Sequence, residues 1–205
     1  MARVLVLFAH PALEKSRVHT RLVAAVPEHP DLTFHDLYEA YPRLDIDVRR
    51  EQELLVSHDV VVLQFPFYWY STPPMLKQWQ DLVLEHGWAY GSQGTALRDK
   101  TLLCAVSTGG RAEAYRPRGY NRFTVRQLLA PIEQTARLCG MRYVPPWLVS
   151  GTHRIGDAEI DQAGARYSAL LRGLLDDRLE ARTPELEDAD ALNRFVDDWP
   201  TKAHA

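Results

Sequence analysis

Five residues, Asp59-Val60-Val61-Val62-Leu63, narrow the folds open to this chain more than any other feature. The run is apolar at successive positions instead of alternating. It is therefore expected to be buried on both faces, as a central strand of a parallel sheet with helices packed on each side. Met75 to His86 follows, with Leu76, Trp79, Leu82 and Val83 at three- and four-residue spacing, which predicts an amphipathic helix. Between strand and helix lies Gln64-Phe65-Pro66-Phe67-Tyr68-Trp69-Tyr70-Ser71-Thr72-Pro73-Pro74. This loop leaves the carboxyl end of a buried strand, the place where open α/β sheets bind their ligands. Stiffened by prolines and rich in aromatics, it suits a flat ring system better than a phosphate. A loop whose aromatics merely cap the core is the competing reading.

The same strand, loop and helix order recurs along the chain. Arg3 to Phe8 is a first strand, apolar on both faces, ending at Ala9-His10-Pro11. Ser16 to Val26 carries Val18, Leu22, Val23 and Val26 and reads as a helix with Ser16 as its N-cap. Strand, loop and helix N-terminus in that order make an anion site, because free N–H groups and the helix dipole both face the loop. Neither the dinucleotide fingerprint nor the P-loop pattern is present. His10 is either a ring contacting a phosphate or cofactor, or a hydrogen-bonded loop histidine. Leu32 to Leu37 alternates as an edge-like second strand, and Val48 to His58 reads as a short helix with Leu54 and Leu55 inward. Lys100 to Val106 is a fourth buried strand. It ends in Ser107-Thr108-Gly109-Gly110, where glycines allow close backbone approach to a planar ligand or simply a tight turn. Loops after the first, third and fourth strands thus bring ligand-suited residues to one edge of one sheet.

The remaining segments are connections and cover. Gly87 to Leu97 is a long loop in which Trp88 and Tyr90 argue for order, and Arg111 to Arg122 is a polar, lid-like stretch. Val125 to Cys139 is a helix broken near Pro131. Arg142-Tyr143-Val144 and Trp147-Leu148-Val149 frame a fifth strand interrupted by Pro145-Pro146, best placed at a sheet edge. Asp157 to Leu175 is a closing helix with Asp157 as N-cap. Residues 1–179 form one domain, and 180–205 an acidic arm without a core of its own that could pack on a neighbouring subunit. A net charge of -3 with no basic run gives no reason to propose nucleic acid, and no nucleic-acid partner is expected. The two cysteines, Cys104 and Cys139, have spacing for neither a zinc site nor a disulfide framework, and no metal is expected. Without a signal peptide or a membrane-length apolar run, the expectation is a soluble cytoplasmic protein.

Five parallel strands alternating with helices give a doubly wound three-layer sandwich, and the positions of the ligand loops fit the flavodoxin order 2-1-3-4-5. Four motifs in order carry a resemblance: Ala9-His10-Pro11; Gln64-Phe65-Pro66 with Trp69-Tyr70 and Pro73-Pro74-Met75-Leu76-Lys77; His86-Gly87-Trp88-Ala89-Tyr90-Gly91; and Thr108-Gly109-Gly110. Over residues 3–175 the chain resembles the flavodoxin-like NAD(P)H:quinone oxidoreductases. The nearest likeness is to the bacterial ancillary subunits of the glutathione-gated Kef potassium-efflux systems.

That resemblance implies a bound flavin, FMN with FAD as the alternative. It implies phosphate binding by His10 and the segment Ser16, Arg17, Val18 and His19. Pro66, Phe67, Tyr68 and Trp69 would line the flavin ring, and Ser107, Thr108, Gly109 and Gly110 its pyrimidine side. Tyr115 matches a catalytic tyrosine, while Trp69, Tyr70, Trp88 and Asn121 fall around the substrate pocket. Relatives often carry Asn in place of His19, and eukaryotic ones a catalytic His in place of Asn121. The implied activity is a ping-pong, two-electron transfer from NAD(P)H to a quinone within a homodimer. The alternative is a flavin-binding regulatory subunit docked on a membrane potassium-efflux antiporter, peripheral on the inner face of the cell membrane. A flavodoxin-type electron carrier ranks below both.

Overall fold

The computed structural model describes residues 1–178 and 189–197. Six strands form one parallel sheet: β1 (Val4–Phe8), β2 (Leu32–Asp36), β3 (Val60–Pro66), β4 (Thr101–Thr108), β5 (Arg142–Tyr143) and β6 (Trp147–Ser150). The spatial order is β2-β1-β3-β4-β5, with β6 also paired to β4. Every residue of β1, β3 and β4 is buried, as their unbroken apolar runs require, whereas β2 is mostly half-buried at the edge.

Alternation along the strands divides the core in two. Leu5, Leu7, Val61 and Leu63 face one layer, which contains α2 (Leu37–Ala40), α3 (Val48–Val56), α4 (Pro74–Val83), α5 (Val125–Leu128) and α6 (Ala130–Leu138). Val4, Val6 and Val62 face the other, where α1 (Arg17–Ala24) and α7 (Asp157–Leu175) supply Val18, Leu22, Tyr167 and Leu171. These are the three layers of a doubly wound sandwich.

The fifth strand is one edge strand in two pieces. Arg142 lies opposite Thr101 and Trp147 opposite Ala105, so β5 and β6 continue one another along β4. The Val144 amide still donates to the Leu102 carbonyl at 2.9 Å. Pro145 and Pro146 then have no N–H to give, and pairing resumes after them.

Two expectations are corrected. Leu82 does not join the buried face of α4; it is 41% exposed, and the face consists of Met75, Leu76, Trp79 and Val83. Asp157 is not the N-cap of α7. Gly156 occupies that position, its amide donating to the Glu159 carboxylate at 2.9 Å, and Asp157 instead pairs with the Arg17 guanidinium at 2.8 Å.

Of the arm, residues 180–188 and 198–205 lie outside the described residues. The helix between them, α8 (Ala189–Asp197), packs on its own chain, burying Leu192 and Val196. Asn193 accepts from the Leu148 amide at 3.2 Å and donates to the Leu148 carbonyl at 2.9 Å. This satisfies groups that an uncovered edge would present to other chains. Among the described residues no helix is long and apolar enough to cross a membrane.

Candidate functional site

The loops after β1, β3, β4 and β6 open into one cavity of about 1170 Å³ at the carboxyl edge of the sheet. After β1 comes His10, 4% exposed. Its Nδ1 accepts from the Ala12 amide at 3.1 Å, so in the neutral ring the proton sits on Nε2, a buried atom with no partner among the described residues. Burial lowers the pKa of this histidine against the opposing pull of Glu14 and keeps the ring neutral. At the start of α1, Ser16 Oγ accepts from the His19 amide at 3.1 Å. The amides of Arg17 and Val18, the first two helical residues, have no carbonyl one turn earlier to bind, and both residues line the cavity. Arg17 is itself fixed, donating to Ile155 O at 3.3 Å and to Asp157 at 2.8 Å.

The aromatic loop after β3 is tied to β4 by the Phe67 amide, which donates to Ser107 O at 2.8 Å. Beyond it the chain reverses in a two-residue turn, closed by the Ser71 amide on Tyr68 O at 3.1 Å. Trp69 and Tyr70 both have positive φ, 50° and 64°, as a type I′ turn demands. Such turns favour Asn-Gly, so two bulky aromatics there store strain. Trp69 is 92% exposed.

Gly109 and Gly110 after β4 make room for neighbouring rings. A Cβ at Gly109 would sit 2.5 Å from His153 Nε2, and one at Gly110 would sit 3.1 Å from Tyr115 Cε2. The Tyr115 ring packs near Phe67, with centroids 6.2 Å apart. Burial raises the pKa of its hydroxyl, against the opposing pull of nearby Thr108 and Asn121.

Of the residues expected at the site, His10, Ser16, Arg17, Val18, Pro66, Phe67, Tyr68, Trp69, Tyr70, Ser107, Gly109, Gly110 and Tyr115 line this cavity. Four do not. The His19 ring is buried beneath the floor, Nε2 lying 2.8 Å from Ser107 Oγ. Thr108 is fully buried and turns its hydroxyl to Gly110 O at 2.9 Å. Trp88 packs half-buried against the core on the α4 side. Asn121 accepts from the Tyr70 hydroxyl at 3.3 Å at the rim.

Thr152, His153 and Arg154, on the loop after β6, line the cavity but were not singled out from the sequence. Applying the carboxyl-edge rule to the fifth strand as well would have found them. Lys15, Arg17, Arg111 and Arg154 also line the cavity, and among the described residues no carboxylate does, although the chain as a whole is acidic. Among the described residues no cluster suits a metal ion. A cavity lined both by amide, imidazole and guanidinium donors and by flat aromatic walls fits a ligand that carries both a phosphate and a ring.

A parallel sheet in the order 2-1-3-4-5, with its cavity at the switch point between β1 and β3, defines a flavodoxin-like protein. The family model described as flavodoxin-like fold matches residues 2–171, and the chain belongs to that family. The crystal structure of general stress protein 14 from Treponema denticola, in complex with FMN, is 42% identical, with a TM-score of 0.80 over 84% of this chain and 99% of that one. The NADPH-quinone reductase of P. pentosaceus is 34% identical, with a TM-score of 0.71 over 81% of this chain and 97% of that one. The glutathione-regulated potassium-efflux system ancillary protein KefG of Cronobacter sakazakii is 41% identical over 170 residues, 83% of this chain and 92% of that protein.

Proposed function

We propose that the chain is an FMN-dependent NAD(P)H:quinone oxidoreductase. The observation that carries this reading is the cavity itself, lined by cationic and aromatic residues and, among the described residues, by no carboxylate, in a family member 42% identical to an FMN complex. The residues present fit the cofactor. The phosphate would be held by the Arg17 and Val18 amides at the positive end of α1, by Lys15, and by the unpartnered Nε2–H of His10. The backbone of Pro66 to Trp69 and of Ser107 to Gly110 would grip the ring. Bound FMN supplies the two-electron relay between NAD(P)H and a quinone, chemistry that no side chain here can perform.

The protein's own part is placement. Tyr68, Tyr70 and Tyr115 line the cavity and would wall the space beside a bound ring, where a nicotinamide and a quinone would sit in turn. Tyr115 keeps its proton across the physiological range because burial raises its pKa, and it can donate a hydrogen bond to a quinone oxygen as negative charge develops there. The amides at the cavity edge play the same part toward the cofactor. A homodimer in which a second copy covers Trp69 at the cavity and the exposed Tyr120, 92% and 91% exposed, completes this reading.

The test is direct. Purified protein should be yellow, should release FMN on denaturation, and should oxidise NAD(P)H steadily when a benzoquinone or naphthoquinone is added. A colourless protein that takes up no added flavin refutes the reading. The 41% identity to KefG favours a second role, as a flavin-binding ancillary subunit on the cytoplasmic side of a potassium-efflux antiporter. Co-purification with such an antiporter from membranes, in the reducing cytoplasmic compartment where the pair would meet, tests it.

A further inference from the structure

A line of buried polar side chains runs under the cavity floor, from one helix layer to the ligand edge of the sheet. The Tyr167 hydroxyl on α7 donates to Gln64 Oε1 on β3 at 2.7 Å. Gln64 Nε2 lies 3.4 Å from His19 Nδ1 on α1, and His19 Nε2 lies 2.8 Å from Ser107 Oγ at the end of β4. Tyr167 and Gln64 are fully buried, His19 is 1% exposed and Ser107 7%. Only Ser107 lines the cavity.

We propose that this chain is a polarity relay, in which Tyr167, Gln64 and His19 act as positioning residues that make the Ser107 hydroxyl a hydrogen-bond donor into the cavity. The inference rests on the flavin reading above, with an acceptor atom of the bound ring as the target.

Direction follows from satisfying each proton in turn. Burial raises the Tyr167 pKa far above its usual range, so the phenol always carries a proton. Among the described residues its one hydrogen-bonding neighbour is Gln64. The Gln64 oxygen must therefore face Tyr167, because a flipped amide would leave a buried hydroxyl proton without an acceptor. The Gln64 amide nitrogen then faces His19, so Nδ1 of that ring accepts and the ring proton sits on Nε2. Burial, helped by the neighbouring His10, holds the His19 pKa down at about 3 and the ring stays neutral. Nε2–H donates to Ser107 Oγ, and the Ser107 proton is turned away from His19, toward the space the residue lines. The Trp147 ring, with its centroid 5.2 Å from that of Tyr167, fixes the far end. A hydroxyl held as a donor favours a ligand atom that gains negative charge and disfavours a ligand donor at the same place.

The test is a double-mutant cycle on the full chain, stripped of flavin and titrated with FMN. Ser107→Ala should weaken FMN binding about five- to tenfold, the loss of one net hydrogen bond. Tyr167→Phe removes one oxygen remote from the cavity and should weaken binding about two- to fivefold. The double variant should bind no worse than Ser107→Ala alone, since Tyr167 acts only through that hydroxyl. Penalties that multiply, or no effect of Tyr167→Phe, overturn the relay. If Tyr167→Phe does not fold, His19→Gln keeps an N–H at similar reach and should bind within about twofold of the parent, with His19→Leu resembling Ser107→Ala. Loss in both His19 variants alike refutes the proposal. Nitrogen-15 NMR of the flavin-free protein reads the same point without ligand: His19 should carry its proton on Nε2, and a proton on Nδ1 overturns the assignment. Parent protein that binds no FMN, yet shows the Nε2–H tautomer, would instead remove the flavin reading and leave the chain's polarity standing.

Discussion

Glu51 offers the sharpest test of how the fold is held. It is fully buried on α3, and its carboxylate takes three donors: His35 Nε2 at 2.8 Å, Tyr41 Oη at 2.6 Å and Trp79 Nε1 at 2.8 Å. Those donors come from β2, the segment after α2, and α4, so one carboxylate ties four segments together. Glu51→Ala leaves three buried donors without an acceptor, each costing about 1–3 kcal/mol. Relaxation recovers part of the loss, and removing a buried charge returns its desolvation cost, so a net destabilisation of about 4 kcal/mol is expected. That is a large share of the ~5–15 kcal/mol that holds a typical domain folded. Glu51→Gln keeps one acceptor oxygen and turns an N–H₂ toward a donor, for an intermediate cost of about 2 kcal/mol. Burial alone would raise the Glu51 pKa, but the hydrogen bonds from His35, Tyr41 and Trp79 outweigh it and hold it below the ordinary 4.5. With the folded value below the unfolded one, the stabilisation is complete above the unfolded pKa and is lost as pH falls through the folded pKa. Urea unfolding from neutral into acid pH should therefore show a shallower acid loss in Glu51→Gln than in the parent. A cost below about 1 kcal/mol for Glu51→Ala, or equal costs for the two variants, would refute this account.

Trp69→Asn places the residue a type I′ turn prefers at a position of positive φ, while giving up almost no burial within its own chain, since the indole is 92% exposed there. It should raise the unfolding free energy of the dissociated protomer by about 0.5–1 kcal/mol while impairing quinone turnover, and a loss of stability in thermal unfolding at protein concentrations too low for a dimer would count against strain in the turn. Tyr115→Phe should lower kcat/KM for the quinone by about 10–100-fold with FMN affinity nearly unchanged, as expected for a donor acting on the acceptor alone. Because burial raises the Tyr115 pKa, the parent's pH–rate profile should show no alkaline fall at or below the ordinary phenol value of 10.0.

The sheet was legible because burial on both faces leaves a continuous apolar run, as at Val60-Val61-Val62-Leu63 and Leu102-Leu103-Cys104-Ala105-Val106. The interrupted fifth strand was equally legible, since two prolines cannot complete a ladder wherever the tertiary fold puts them. Side-chain direction was harder. His19 falls within the helix start that suits a phosphate, yet it is three residues from Leu22 and shares its buried face, so its ring points under the floor. That spacing was a usable signal. No comparable signal existed for the bond between Tyr167 and Gln64, which are 103 residues apart, or for His153 folding over Gly109. The Gly156 cap was missed because Asp157 is the stronger N-cap by residue type; Arg17 and Arg21 instead draw its carboxylate across to α1.

Floor and rim of the cavity obey different physics, and their substitutions should separate accordingly. The floor is made of strand ends and buried polar chains whose atoms each have one satisfied arrangement, so a change there alters whether a ring is held and with what polarity. The rim is made of exposed aromatics on a strained turn, flanked by Pro73 and Pro74 and tied down through Phe67. Strain of that kind persists only where the surroundings over-determine the backbone, and it stiffens the wall that an incoming flat substrate meets. Substitutions at Tyr68, Trp69 or Tyr70 should therefore change which acceptor is reduced more than how tightly the cofactor binds, and substitutions at His19, Gln64 or Ser107 the reverse.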